Sequence, residues 1–195
     1  MPKKDQMGTE KITAKLTDAM RDKTLVRFES RYEEGRIEGY VLDIGPKFFL
    51  LGVIDDRIRF DGFQCMRLSD VRRLEIPAPY AEFVVAALIK RGETIKRKPS
   101  IDLGSVRKIL DSANRIAPLV TIHTQKTDPD VCWIGRVLGG TKSHVSLLEI
   151  GPDAVWADIP AKKALKEITR IDFLGGYEDA LYKVGGNPPK LKTHR

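Results

Sequence analysis

The sequence predicts a mainly β protein with flanking helices, arranged as two tandem five-stranded small barrels, each preceded by a helix. Three observations carry that expectation. The first is an internal repeat. "LKEITRIDFLGGYEDAL" (Leu165 to Leu181) aligns without a gap with "LSDVRRLEIPAPYAEFV", which lies 97 positions earlier. Leu68 meets Leu165, Arg73 meets Arg170 and Tyr80 meets Tyr177. Upstream the offset is 96, where Gly39 meets Gly135, and then 94, where Leu25 and Val26 meet Leu119 and Val120. The shifts fall in turns, which tolerate insertions. The second observation is that both copies share one order of elements. The third is a glycine inside the second strand of each.

The elements follow in order. Ile12, Leu16, Ala19 and Met20 recur at helical spacing, with Thr9 as the expected N-cap. In the second copy Leu103, Val106, Ile109, Leu110 and Ala113 do the same, capped by Ser100 or Asp102 and stopped by Pro118. The first strands are "TLVRFES" and "LVTIHTQ", and the second are "RIEGYVLDI" and "VCWIGRVLG". The third are "KFFLLGVI" and "HVSLLEI", and the fourth are "DRIRFDGFQCMR" and "DAVWADIP". A single helical turn opens at Leu68 and at Leu165, before the closing strands "VRRLEI" and "ITRIDF". "YAEFVVAALIK" and the weaker "GYEDALYKV" follow as helices. The first of these is apolar on nearly every face. It is therefore expected to be buried, between the barrels or against another subunit.

Five short strands hold too little sheet for two separate faces, so a strongly bent sheet that closes on itself is expected. Gly39 and Gly135 lack a Cβ and allow a sharp bend or a close backbone approach. In each turn before the fifth strand, Leu68 with Val71 and Leu165 with Ile168 are expected to point inward as a plug. The expected domains are 1–92, 93–184 and a basic tail, 185–195.

A helix, five bent strands, the strand-two glycine and the short turn resemble the Sm-like small β-barrel of a bacterial, tandem type, over residues 12–76 and 105–173. That resemblance implies the fold more than RNA binding. The family's uridine pocket needs an aspartate and an asparagine after the glycine. Those places hold Gly45 and Phe49 in the first copy, and Thr141 with His144 or Val145 in the second. The family's arginine–glycine pair is also absent. "IRFDGF" separates Arg59 from Gly62, and "AVWADI" has no arginine.

Apolar residues at 42% and charged residues at 31% describe a soluble globular chain. No apolar run approaches the roughly 20 residues a bilayer requires. The start "MPKKDQMGTE" lacks the apolar core of a secretory signal, and there are only two cysteines, Cys65 and Cys132. A cytoplasmic setting without membrane contact is expected. The net charge of +7 gathers in "KRK" (Lys96, Arg97, Lys98) and in the tail from Lys183 onward, with Lys190, Lys192 and Arg195. The rest of the chain is nearly neutral, so the basic segments read first as solvated connectors.

No catalytic set, cofactor motif or metal site is expected. "GRVLGGTKS" fails as a phosphate loop because Thr141 separates Gly140 from Lys142 and strands lie on both sides. Gly139 and Gly140 read as a hairpin turn with positive φ. His123 and Cys132 face one another across the first hairpin of the second copy, but two ligands do not make a metal site. Phe48, Phe49, Phe60, Phe63, Trp133 and Trp156 are read mainly as core. Trp156 beside Lys162 and Lys163 is the best candidate for an outward aromatic–basic patch. The leading functional expectation is a non-enzymatic binding or scaffold module, with protein partners or its own copies as a homo-oligomer. The alternative is RNA or single-stranded nucleic acid, held by Lys96, Arg97, Lys98, Trp156, Lys162, Lys163, Lys190, Lys192 and Arg195.

Overall fold

The computed structural model describes residues 8–32, 35–94 and 98–190. The chain divides into two compact units, Met1–Pro99 and Ser100–Arg195. Both are mainly β, with antiparallel strand pairs and helices at either end.

The first unit opens with α1 (Thr9–Arg21), followed by β1 (Val26–Ser30), β2 (Ile37–Ile44), β3 (Phe48–Ile54) and β4 (Phe60–Arg67). A 3-10 turn, Leu68–Asp70, leads to β5 (Val71–Glu75), and α2 (Ala81–Lys90) ends the unit. Its strands lie in the order β5-β1-β2-β3-β4. Ile12, Leu16 and Ala19 of α1 pack on Val26, Phe28, Val41, Phe49, Leu51, Leu68 and Val71. Phe28 and Phe49 meet edge to face at 5.7 Å, a favourable ring geometry. Gly8 rather than Thr9 holds the N-cap position of α1, and the Thr9 carbonyl instead accepts the Thr13 hydroxyl.

The second unit repeats the plan. It has α3 (Val106–Ile116), β6 (Val120–His123), β7 (Cys132–Gly140), β8 (His144–Glu149), β9 (Ala161–Ala164), a 3-10 turn at Leu165–Glu167, β10 (Arg170–Phe173) and α4 (Gly176–Gly185). Its strand order is β10-β6-β7-β8-β9. The cap of α3 is Ser105, whose hydroxyl accepts the Lys108 N–H, and not Ser100 or Asp102. Asp102 instead accepts the Gly104 N–H just before the helix. That bond, helped by Lys108, holds its carboxyl below the usual range.

Both strand-two glycines sit where side chains cannot. A Cβ at Gly39 would collide with the Gly52 carbonyl, and one at Gly135 with the Leu148 carbonyl. The register places Gly39 opposite Val53 and Gly135 opposite Glu149, so each glycine lets the third strand press onto the second. Irregular register follows just beyond, between Val41 and Asp43 and between Val137 and Gly139, where the strands bend.

The expectation of closed barrels fails at one seam. Within each unit the fifth strand pairs with the first and not with the fourth, so each five-stranded sheet is open. The physical reason is the 3-10 turn. It has extended residues on both flanks and no residue at positive φ, so it redirects the chain instead of reversing it as a hairpin would. Leu68, Val71 and Ile168 are buried as expected, whereas Leu165 is only half-buried. The fourth strand of the second copy also lies later than read. "DAVWADIP" is a loop with one bridge, Trp156 to Ile150, and the strand is Ala161–Ala164. Gly139 and Gly140 do have positive φ, but they end β7, and the turn follows at 141–143. Finally, α2 buries only Val84 and Leu88, leaving Phe83 and Ile89 exposed, which corrects the reading of a helix buried on every side.

The glycine contacts give a test. Gly39→Ala and Gly135→Ala should each destabilise the protein by about 2 kcal/mol or more, because the obstacle is backbone and cannot rotate away. Urea unfolding followed by circular dichroism measures this. Melting curves unchanged by both substitutions would show that the strands approach less closely than described.

Candidate functional site

In each unit the first, second and fifth strands present a polar face beside the C-terminal helix. The two copies use that face differently. In the first unit Arg27 of β1 stands opposite Glu38 of β2, and their ion pair is 2.7 Å long with both side chains mostly buried. Arg27 also reaches the Pro79 carbonyl just before α2. Alongside, Arg73 of β5 pairs with Glu29 of β1 at 2.9 Å. Charges alternate across the strands and largely cancel, as cross-strand pairs favour.

Above this floor a cleft of about 590 Å³ opens between the strands and α2. It is lined by Ile54, Ile58, Val84, Phe83 and Tyr80 together with the charged Arg27, Arg36, Glu38, Asp55 and Asp56. Tyr80 and Phe83 stand 79% and 64% exposed at its mouth. Tyr80 has φ 61° and caps α2 in the left-handed region, an uncommon setting for a bulky residue, and it points the ring into solvent. Asp55 accepts the N–H groups of Arg57 and Arg59 and pairs with Arg57, which fixes the lip that carries Ile58. Arg91 of the segment after α2 donates to the carbonyls of Arg57 and Ile58 and braces the same lip.

The second unit closes the corresponding face. Arg170, His123 and Cys132 lie side by side across β10, β6 and β7, with Asp172 and Thr121 in the next row. His123 Nε2 is 2.9 Å from Asp172 Oδ2, and Arg170 Nη2 is 3.0 Å from the same oxygen. The Thr121 hydroxyl donates to Glu178 of α4, which is buried. At the repeat offset of 97, Glu178 corresponds to Ala81 of α2. A buried glutamate thus packs on this face in the second unit, and the first unit has an alanine at that sequence position. The facing of His123 and Cys132 read from the sequence is present. The surrounding cation Arg170 opposes metal binding there, and among the described residues no group of three or more His, Cys, Asp or Glu side chains is placed to hold an ion.

Five of the nine sequence-predicted nucleic-acid residues, Lys98, Trp156, Lys162, Lys163 and Lys190, fall among the described residues. Lys96, Arg97, Lys192 and Arg195 lie outside the described residues. Lys98 pairs with Asp43 at 2.7 Å. Trp156 is half-buried against Leu119, Ile134, Ile150 and Leu181, and its indole N–H donates to the Gly185 carbonyl. Lys163 turns inward, 3.8 Å over the Trp133 ring and 2.8 Å from Glu149. Lys162 and Lys190 are exposed. Phe48, Phe49 and Phe63 are core, and Phe60 and Trp133 are half-buried. Sequence reading missed Tyr80 and Phe83 as surface groups. An all-apolar helix carries no pattern saying which side faces out. The repeat held the one usable signal, since Tyr80 and Tyr177 recur and Tyr177 is also exposed.

No family model, no curated protein and no solved structure matches the chain. Among the described residues, no helix is long and apolar enough to cross a membrane.

Cys132 is exposed as a residue, yet its thiol is partly desolvated beside Asp172 and reports on the face formed by β10, β6 and β7. Desolvation by burial, followed by the Asp172 carboxylate, raises its pKa above the ordinary thiol value. Less thiolate is then present near neutral pH, so alkylation should be slow and should accelerate only as pH rises past the usual thiol range. Asp172→Asn should speed the reaction at pH 7. Iodoacetamide labelling with peptide mass spectrometry measures both, and a rate equal to that of a free thiol at pH 7 would contradict this environment.

Proposed function

We propose that this protein is a non-enzymatic protein-binding scaffold built from two Sm-like units, and that the cleft beside α2 of the first unit receives a segment of a protein partner. The observation that carries this reading is the exposure of Tyr80 and Phe83 at the mouth of a 590 Å³ cleft. Rings of that size standing in water beside a concave apolar wall are the usual anchors of protein interfaces. In the cleft lining Arg27 is paired with Glu38, and Asp55 with Arg57. A phosphate backbone is drawn to an excess of cations, and this lining carries two arginines, Arg27 and Arg36, against three acids, Glu38, Asp55 and Asp56. The Sm-like part of the proposal is supported by the strand order, five strands with the last beside the first, and by the tightly approached strand-two glycine in both copies. The low cysteine content, two residues in the chain, fits a reducing, cytoplasmic setting. The alternative, single-stranded nucleic acid held by the basic linker and tail, rests on the charge of +7 and its concentration there.

A peptide-display selection on the immobilised protein separates the two. Peptides enriched on the native chain should bind Phe83→Glu at least about tenfold more weakly, with unchanged melting because Phe83 is exposed. The reading is overturned if no peptide is enriched, or if Phe83→Glu binds the enriched peptides equally well. Tight binding of single-stranded U-rich RNA that weakens steeply with salt would favour the nucleic-acid alternative.

A further inference from the structure

The second unit carries its own exposed apolar patch, built where the fourth strand was expected. Val155 and Ile159 are 62% and 78% exposed, and Val184 at the end of α4 is 78% exposed. The Trp156 indole bond to Gly185 holds this loop against the helix end, so the three side chains lie in one region. Ile159 is flanked by Asp158 and Lys162, both exposed and neither with an ion pair among the described residues. Pro160 between them has its φ fixed by its ring, which limits how this stretch can collapse.

The cleft of the first unit shows the reverse pattern. Of its charged lining, Arg27 and Glu38 satisfy one another, and Asp55 is occupied by Arg57 and two backbone N–H groups. Arg36 and Asp56 remain without an ion pair among the described residues, and both belong to the lining of the cleft with the exposed rings. The cleft thus offers a base, an aromatic mouth and an acid. The segment 158–162 offers an acid, an isolated isoleucine and a base.

We propose that the partner segment is residues 158–162 of a second copy of this chain, with Ile159 entering the cleft at Phe83 and Tyr80, Asp158 facing Arg36, and Lys162 facing Asp56. The inference rests on the reading of the cleft as a protein-binding site and names its occupant. Because cleft and segment are different surfaces, the contact is head to tail, and copies joined this way form rings or open chains. Complementary charge fixes the direction of entry more than it adds affinity, and the buried isoleucine and rings supply most of the attraction.

Sedimentation velocity on the full chain tests this. The native protein should exceed its monomer mass of 21.9 kDa at about 100 µM and return to it on dilution. Phe83→Glu and Ile159→Glu should each weaken association by about tenfold or more. Arg36→Asp and Asp158→Arg should each weaken it, and the two together should restore it to within about threefold of native. The second swap, Asp56→Lys with Lys162→Glu, should behave alike, and all six side chains are exposed, so melting curves should not move. A native chain that stays monomeric overturns the inference, while the peptide selection judges the cleft on its own. Association unaffected by Phe83→Glu and Ile159→Glu, or swaps that fail to rescue their single substitutions, also overturns it.

Discussion

Between the fourth and fifth strands of each unit the chain has only a three-residue 3-10 turn, flanked by extended residues and lacking any positive φ. A reversal into a hairpin needs backbone that such a turn does not provide. The fifth strand must therefore cross to the first strand, and it does so in both copies. Much else depends on that route. It opens the seam between fourth and fifth strands, and it brings the residues of β5 alongside Arg27 and Glu29. It also delivers the following helix to the outer face of β1 and β2. The cleft lies between these strands and that helix, with Phe83 and Val84 of α2 in its lining.

Several cations among the described residues are held by neighbouring acids or rings. Lys163 is held by a ring and a carboxylate, Lys98 by Asp43, and Arg27 and Arg73 by glutamates on neighbouring strands. The more exposed of these pairs contribute little to stability one by one. They do, however, withdraw cations from service as a contact surface. A basic overall composition thus coexists with a nearly balanced folded face.

Much of the fold was legible because the signals were periodic or repeated. Ile12, Leu16 and Ala19 announce their helix by spacing, and Gly39 and Gly135 recur because no side chain fits beside the third strand. What misled was local ambiguity. "DAVWADIP" has the apolar content of a strand, yet Pro160 and the turn at Asp153 make it a loop, and the strand begins with the plain residues Ala161 and Lys162. The helix "AEFVVAALIK" hid its outward side because every side is apolar. The candidate site was illegible for a different reason. It gathers Arg36 and Glu38 from one segment, Ile54 to Ile58 from another and Phe83 from a third, and a single sequence does not say which distant segments meet.

Both tryptophans, Trp133 and Trp156, belong to the second unit, and each has a distinct neighbour, an ammonium over one ring and a backbone carbonyl at the other indole. Indole fluorescence therefore watches only half of the chain. The first unit, with its phenylalanine core and tyrosines, is nearly silent at those wavelengths. An optical melt followed by emission and one followed by backbone dichroism will coincide only if the two units unfold as a single cooperative body. The placement of two residues thus makes the ordinary spectrum of this protein a domain-resolved one.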